Sequence, residues 1–227
     1  MNYKKTAIIV AGGKGERMKT AVPKQFLELS GMPILMHTIK KIYDYDNAIE
    51  LVLALPESQI EYWKGLCKKH DFMISHQIAA GGETRFFSVK NALNTLDDTD
   101  RLIAVHDGVR PLVSHDTLKR CFEKAEEKGS AIPVVSLIDS IRRIDGEESV
   151  SLNRNEYRLV QTPQVFYSEI IKKSYDCAYK DEFTDDASVV ESGGYKVHLV
   201  EGNSENIKIT NGLDLEIAEI IMKRLKS

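Results

Sequence analysis

Four groups of residues in this 227-residue chain have the types and spacing for phosphoryl chemistry. The first is VAGGKGERMKTAVPKQFLEL, from Val10 to Leu29. An apolar run delivers the chain into Ala11, Gly12, Gly13, Lys14 and Gly15, and glycines let backbone amides close around a phosphate. Arg17 and, after Pro23, Lys24 add cations to the same loop. A phosphate cradle with cations beside it suits the charge that builds up on a pentacovalent phosphorus. The spacing differs from that of a P-loop, and Met18 stands where a dinucleotide fingerprint needs its third glycine. A nicotinamide-dependent oxidoreductase is therefore disfavoured.

The second group is GGETRFFSV, Gly81 to Val89. Gly81 and Gly82 let the backbone approach a flat base, with Glu83 next to them and the Ser88 hydroxyl available to a base edge. The plainer alternative is a strand-to-helix turn capped by Thr84. The third is VHDGVRP, Val105 to Pro111. An apolar strand brings Asp107 to its carboxyl end, where a carboxylate can hold Mg²⁺ beside substrate phosphates. Arg110, three residues on, can grip an acceptor phosphate with two N–H groups. A structural Asp–Arg pair is the alternative, and His106 reads as a packing or hydrogen-bonding residue. The fourth comprises QTPQ (161–164), FTDDAS (183–188) and ENIKIT (205–210). Lys208 lies between two isoleucines, so its ammonium must project toward water or toward an anion such as a triphosphate. Asp185 and Asp186 read as the acidic first turn of a helix rather than as a metal pair.

A net charge of −3 supplies no global field toward nucleic acid or an anionic membrane. Cys67, Cys121 and Cys177 are odd in number and far apart, and read as free thiols in a reducing compartment. Residues Met1 to Lys5 are polar and the apolar run after them stops at Gly12, so no secretory leader is expected and the assignment is cytoplasmic. No run approaches the length of a membrane span.

Short apolar runs alternate with helical periods: strands over 6–10, 49–55, 75–79, 102–105, 131–135 and 196–200, and helices over 33–45, 57–70, 84–96, 114–128 and 213–226. Ser114 is the expected cap of its helix, and regular structure is also expected over 167–179 and 187–191. The alternation specifies an α/β fold with a mainly parallel sheet covered by helices on both faces, as a single domain over 1–227. Ligands in such folds bind outside the carboxyl ends of the strands, where the glycine, Asp and Arg groups fall. Residues 137–161 break the rhythm. Two extended pieces, 137–143 and 157–161, flank Asp145-Gly146 and a polar stretch too long for a tight turn. The expectation is a protruding β-arm that needs a partner surface, hence a homodimer.

Taken together, AGGKGERM with PKQF, GGETRFFSV, VHDGVRP, QTPQVF, TDDASVVE and EGNSENIKIT resemble the 2-C-methyl-D-erythritol 4-phosphate cytidylyltransferase family over nearly the whole chain. The resemblance implies a Rossmann-like nucleotidyltransferase fold with a clasping arm, and it implies Mg²⁺, CTP and a polyol phosphate. By motif, Ala11, Gly12, Gly13, Gly15, Gly82, Glu83 and Ser88 would hold the nucleotide. Arg17, Lys24 and Lys208 would contact the triphosphate and its transition state. Asp107 would serve the nucleotide, the metal and the acceptor. Arg110, Thr162 and Thr184, with Ser140 and Arg154 from the partner's arm, would surround the acceptor. Ser140 replaces a usual threonine, Glu83 a common aspartate, and Ala-Gly-Gly a frequent Ala-Ala-Gly.

The implied reaction is an in-line attack of the acceptor phosphate on the α-phosphorus of CTP. A phosphate monoester has a second pKa of about 6, so no general base is required. The rival readings are a ribitol-5-phosphate cytidylyltransferase and a nucleotide-binding regulatory module without chemistry. The latter would be expected to lack a cation or Asp107.

Overall fold

A computed structural model describes residues 3–12 and 22–226. Seven residues of the first strand, β1 (Lys4–Val10), alternate their side chains across a central sheet. Ala7, Ile9 and Ala11 enter one core, and Ile8 and Val10 enter the other. Both faces are therefore apolar, which explains why the run reads TAIIV without polar alternation. β4 (Glu50–Leu55) pairs parallel with β1, and β5 (Gln77–Ala80) pairs parallel with β4. β6 (Arg101–Asp107) lies parallel on the other side of β1 and is buried along its whole length. The chain thus moves outward over three strands and then returns to the far side of β1. That reversal creates a crevice at the carboxyl ends of β1 and β6, where Val10 and Asp107 are register partners.

Helices cover the two faces. α1 (Ile34–Tyr45), α2 (Glu57–Lys69) and α4 (His115–Lys128) pack on the side that holds Trp63. α3 (Arg85–Leu93), α5 (Ser168–Tyr175) and α6 (Asp186–Ser192) cover the other. Ser114 caps α4 as its sequence predicts, accepting from the Thr117 amide at 3.1 Å. Asp185 and Ser188 form a reciprocal capping box on α6. Truncating Ile8 or Ile9, both at most 1% exposed, would leave a cavity costing about 2–5 kcal/mol.

Two features depart from the sequence expectation. β11 (Gln164–Tyr167) runs antiparallel between β6 and β7 (Ser130–Ser136), and is one of two reversed strands in the mainly parallel sheet. β10 (Arg158–Val160) also pairs antiparallel with β7, and β12 (Leu199–Glu201) pairs parallel with it. Between the pairs Val160–Val134 and Val165–Ala131, one strand advances five residues and the other three. The two extra residues form a bulge that carries Gln161 and Thr162 toward the crevice.

The second departure is the internal pairing of the arm. β8 (Ile141–Asp145) pairs with β9 (Glu148–Leu152) across a two-residue turn, and residues 157–161 are not its partner. The polar stretch after Gly146 is itself a strand. It is polar because both of its faces meet solvent, as Ile144 (71% exposed) shows from the neighbouring strand. Short strands β2 (Glu28–Leu29) and β3 (Met32–Pro33) form a small ribbon. The C-terminal α7 (Gly212–Lys226) packs over this ribbon through Leu29, Ile34 and Ala218. Among the described residues, no helix is long and apolar enough to cross a membrane.

Candidate active site

The carboxyl ends of β1, β4 and β6 open into a cleft of about 890 Å³. Its wall includes Ala11, Gly12, Lys24, Gly82, Glu83, Ser88, Asp107 and Lys208. All eight are residues that the sequence assigns to nucleotide or catalysis. A second cavity of about 260 Å³ opens beside it, lined by Arg110, Thr162 and Thr184 of the expected acceptor site. Arg85, Asp107 and Lys208 belong to both walls. Gly13, Gly15 and Arg17 lie outside the described residues. Ser140 and Arg154 line neither cavity of their own chain. Arg154 donates through Nη1 to the Ile138 carbonyl on the arm.

Local sequence explains how each group is held. Lys24 begins a single 3-10 turn, Lys24–Phe26, after Pro23. Its neighbour Gln25 is buried, and that amide donates to the Ala11 carbonyl (2.8 Å) and to Gln59 Oε1 (2.7 Å). Phe26 then packs against Tyr62 and Trp63 of α2. The lysine is thus anchored through the two residues that follow it. The Gly81–Arg85 turn is tied by Ser88, whose hydroxyl accepts from the Gly82 amide (3.1 Å) and donates to the Thr84 carbonyl (3.0 Å). Ser88 faces the cleft, yet its proton is committed to the loop, so toward a ligand it can only accept. Thr84 stands at the N-cap position of α3, but its hydroxyl makes no capping bond and is buried without a partner among the described residues.

Asp107 is the electrostatic centre. Its Oδ1 lies 3.6 Å from Arg85 Nε, and its Oδ2 meets Arg110 Nε at 3.2 Å and Lys208 Nζ at 3.0 Å. Burial by itself would raise its pKa. The surrounding Arg85, Lys208 and Arg110 outweigh burial and hold the carboxyl well below the usual carboxylate range. Lys208 projects into the cleft because its neighbours Ile207 and Ile209 pack with Leu29 and Val109 on the opposite side. That geometry answers the question its flanking isoleucines posed.

On the acceptor side, His106 and Thr162 form a closed network. The Arg110 carbonyl can only accept, so His106 Nε2 (3.0 Å away) carries the proton and Nδ1 accepts from the Thr162 hydroxyl at 2.9 Å. The same hydroxyl accepts from the Asp107 amide at 3.1 Å. Burial first, with the Arg110 charge adding to it, pushes the His106 pKa down to about 4, so the ring is neutral near pH 7. His106 is a structural hydrogen-bonding residue, as its sequence context suggests. Thr162 spends its proton on His106 and is left with acceptor capacity toward a ligand. Asn206, fully buried, donates to the Thr162 carbonyl (2.8 Å), and its own carbonyl receives Arg110 Nη1 (2.8 Å).

Sequence reasoning missed Arg85. It grips Asp186 with both terminal nitrogens, at 2.8 and 2.6 Å, across 101 residues of chain. The only local signal was an arginine on the glycine turn. Asp185 and Asp186 serve α6 and Arg85, in keeping with their reading as helix residues.

Residues 5–224 match the family model for 2-C-methyl-D-erythritol 4-phosphate cytidylyltransferase. The chain belongs to this family. A relative of that name in Bacteroides thetaiotaomicron is 49% identical over 219 residues, covering 96% of this chain and all of the relative. Another in Phocaeicola vulgatus is 50% identical over 95% of this chain and 98% of the relative. Among solved structures, the 4-diphosphocytidyl-2C-methyl-D-erythritol synthase of Anaerococcus prevotii superposes with a TM-score of 0.83 at 27% identity, over 98% of this chain and 97% of the other. The 2-C-methyl-D-erythritol 4-phosphate cytidylyltransferase of Thermus thermophilus gives 0.78 at 29%, over 97% and 99%. These two solved structures superpose on the chain over nearly the full length of both partners.

Proposed function

We infer that the protein transfers the cytidylyl group of CTP to 2-C-methyl-D-erythritol 4-phosphate and releases pyrophosphate, as a member of its family. The observation that supports this best is the pair of cavities meeting at Asp107, the larger roomy enough for a nucleotide and the smaller for a polyol phosphate. The acceptor phosphate, bound near Arg110, attacks the α-phosphorus of CTP in line, and the P–O bond to pyrophosphate breaks. No proton has to be removed from a phosphate already ionised at neutral pH, which accords with a His106 that is buried, neutral and fully bonded. The residues contribute position and charge. Lys24 and Lys208 line the cleft in which the phosphates would lie, and by its motif Arg17 would act with them.

Mg²⁺ is part of this proposal. No group of three or more metal-ligating side chains occurs among the described residues, so a resident ion held by protein alone is a poor fit. A single carboxylate, Asp107, facing both cavities does fit an ion that arrives on the nucleotide, since Mg²⁺ takes one or two carboxylates and fills its shell with phosphate oxygens and water. When bound, it neutralises charge on the leaving pyrophosphate.

The arm completes the reading. Ile138 and Ile144 expose apolar surface on it, and Ser140 and Arg154 line neither of the two cavities of their own chain. In a homodimer these residues would close the partner's acceptor cavity.

Pyrophosphate release from CTP tests the whole, with methylerythritol phosphate and ribitol 5-phosphate as parallel acceptors, with and without a chelator. Release with methylerythritol phosphate alone, abolished by the chelator, is expected. Release with ribitol 5-phosphate alone would overturn the acceptor. Mixing Asp107→Asn with Arg154→Ala after reversible dissociation should restore about a quarter of wild-type activity, since half of the random dimers carry one intact composite site. No recovery in a verified mixed dimer would place Arg154 in its own subunit's chemistry.

A further inference from the structure

Among the described residues three cations surround Asp107, and they are held very differently. Lys208 has a flexible stem, a side chain 41% exposed and, among the described residues, a single ion pair, to Oδ2. Arg110 shares Oδ2 and has one further anchor, the Asn206 carbonyl. Arg85 faces the other oxygen, Oδ1, and both of its terminal nitrogens are committed to Asp186. Asp186 is fully buried and takes a third bond from the Tyr175 hydroxyl at 2.7 Å. The Tyr175 ring is itself fixed, stacked on Phe86 at 4.8 Å. Burial works against the Arg85 charge, but Asp186 and Asp107 overcome it and hold the guanidinium firmly protonated.

A carboxylate between two phosphate sites is an electrostatic problem. Incoming phosphates repel it and also compete for its cations. Lys208 and Arg110 can turn to a phosphate at little cost. Arg85 cannot follow, because its departure would strand a fully buried carboxylate.

We propose that Arg85, locked by Asp186 and Tyr175, is a positioning residue: the permanent counter-ion of Asp107 that leaves Lys208 and Arg110 free to pass from Asp107 to the substrate phosphates. This rests on the nucleotidyl-transfer reading. It assigns Asp186 and Tyr175, which line neither of the two cavities, an indirect role in acceptor binding. Without the lock, Asp107 holds Lys208 and Arg110 more tightly and the acceptor phosphate binds less well.

A double-mutant cycle tests it, run after the wild type has been shown to release pyrophosphate, so that failure of the overall reading is seen separately. Asp186→Asn is expected to raise KM for methylerythritol phosphate roughly tenfold while kcat changes less than about threefold. The informative arm is the same change in an Asp107→Asn background, where no carboxylate needs a counter-ion. There Asp186→Asn should have no further effect on acceptor binding, read as Kd by calorimetry with CTP present. An equal loss in both backgrounds would mean that the ion pair is merely structural and would overturn the proposal. Should Asp186→Asn not fold, Tyr175→Phe keeps the stacked ring, removes one bond to Asp186 and completes the same cycle with a smaller shift.

Discussion

The two cavities on either side of Asp107 are built in opposite ways. The nucleotide side is shaped by backbone and small residues: Ala11, Gly12, Gly82 and a serine that ties one loop to a helix. The acceptor side is walled by buried polar side chains already bonded to one another, in the chain Asp107–Thr162–His106–Arg110 and its support from Asn206. The difference follows from what each ligand offers. A flat base and a triphosphate are read by close backbone approach and by mobile cations. A small branched polyol phosphate needs side-chain donors and acceptors held in fixed places. The nucleotide side should therefore be sensitive to volume and charge, and the acceptor side to hydrogen bonding.

The strongest way to break this comparison is Lys24→Ala. Lys24 is the described cation that faces only the nucleotide cleft, so its loss should cost kcat on the order of 10²–10³-fold with the fold retained. Turnover near wild type in a folded variant would sink the mechanism. Next in size is Gly82→Ala. An added Cβ would sit 2.3 Å from the Phe87 Cβ, so the turn must move away from the base site. A rise in KM for CTP on the order of 10–100-fold is expected, with binding of the acceptor unchanged. A variant that raised KM for both substrates alike would erase the distinction between the two sides.

How much of this was legible beforehand also divides between the sides. Nearly every nucleotide-side residue stood in a local signature, because a strand followed by glycines carries its structural meaning within a few positions. The parallel core was legible for the same reason, since runs such as TAIIV and LIAV are apolar on both faces. The acceptor side was only half legible. Arg110 and Thr162 lie in short motifs, but the bulge that aims Thr162 arises from pairing between β7 and β10–β11, which no window around QTPQ contains. β11 itself has four residues beside a proline, too few to declare a strand. Arg85 was missed because its partner lies 101 residues away. The arm was recognised as a departure, but its pairing was misassigned, because exposed strands lack the apolar alternation that sets register.

A smaller effect sharpens the acceptor side through pH. His106 has a folded pKa near 4 against an unfolded value of about 6.5, so the folded state refuses a proton that the unfolded chain accepts. Its contribution is complete above about pH 6.5 and is lost as the pH falls toward 4, by on the order of 3 kcal/mol in all. Urea melts between pH 7 and 4.5 should show a steeper loss for the wild type than for His106→Gln. Parallel slopes would contradict the neutral, proton-donating His106 on which the Thr162 network depends.

The smallest effect expected belongs to Gly12→Ala, which would restore the Ala-Ala-Gly frequent in the family. Its Cβ would meet the Ser88 Oγ at 3.4 Å, an ordinary contact, and nothing else within 4 Å among the described residues. Both this glycine and Gly82 line the nucleotide cleft, yet only one position has room for a methyl group. KM for CTP should change less than about twofold, with Ser88 still bridging Gly82 and Thr84. A large loss would show that the nucleotide itself fills the space beside Ser88. The nucleotide side would then be read by direct contact at Gly12, and the contrast between the two cavities would narrow to their charges.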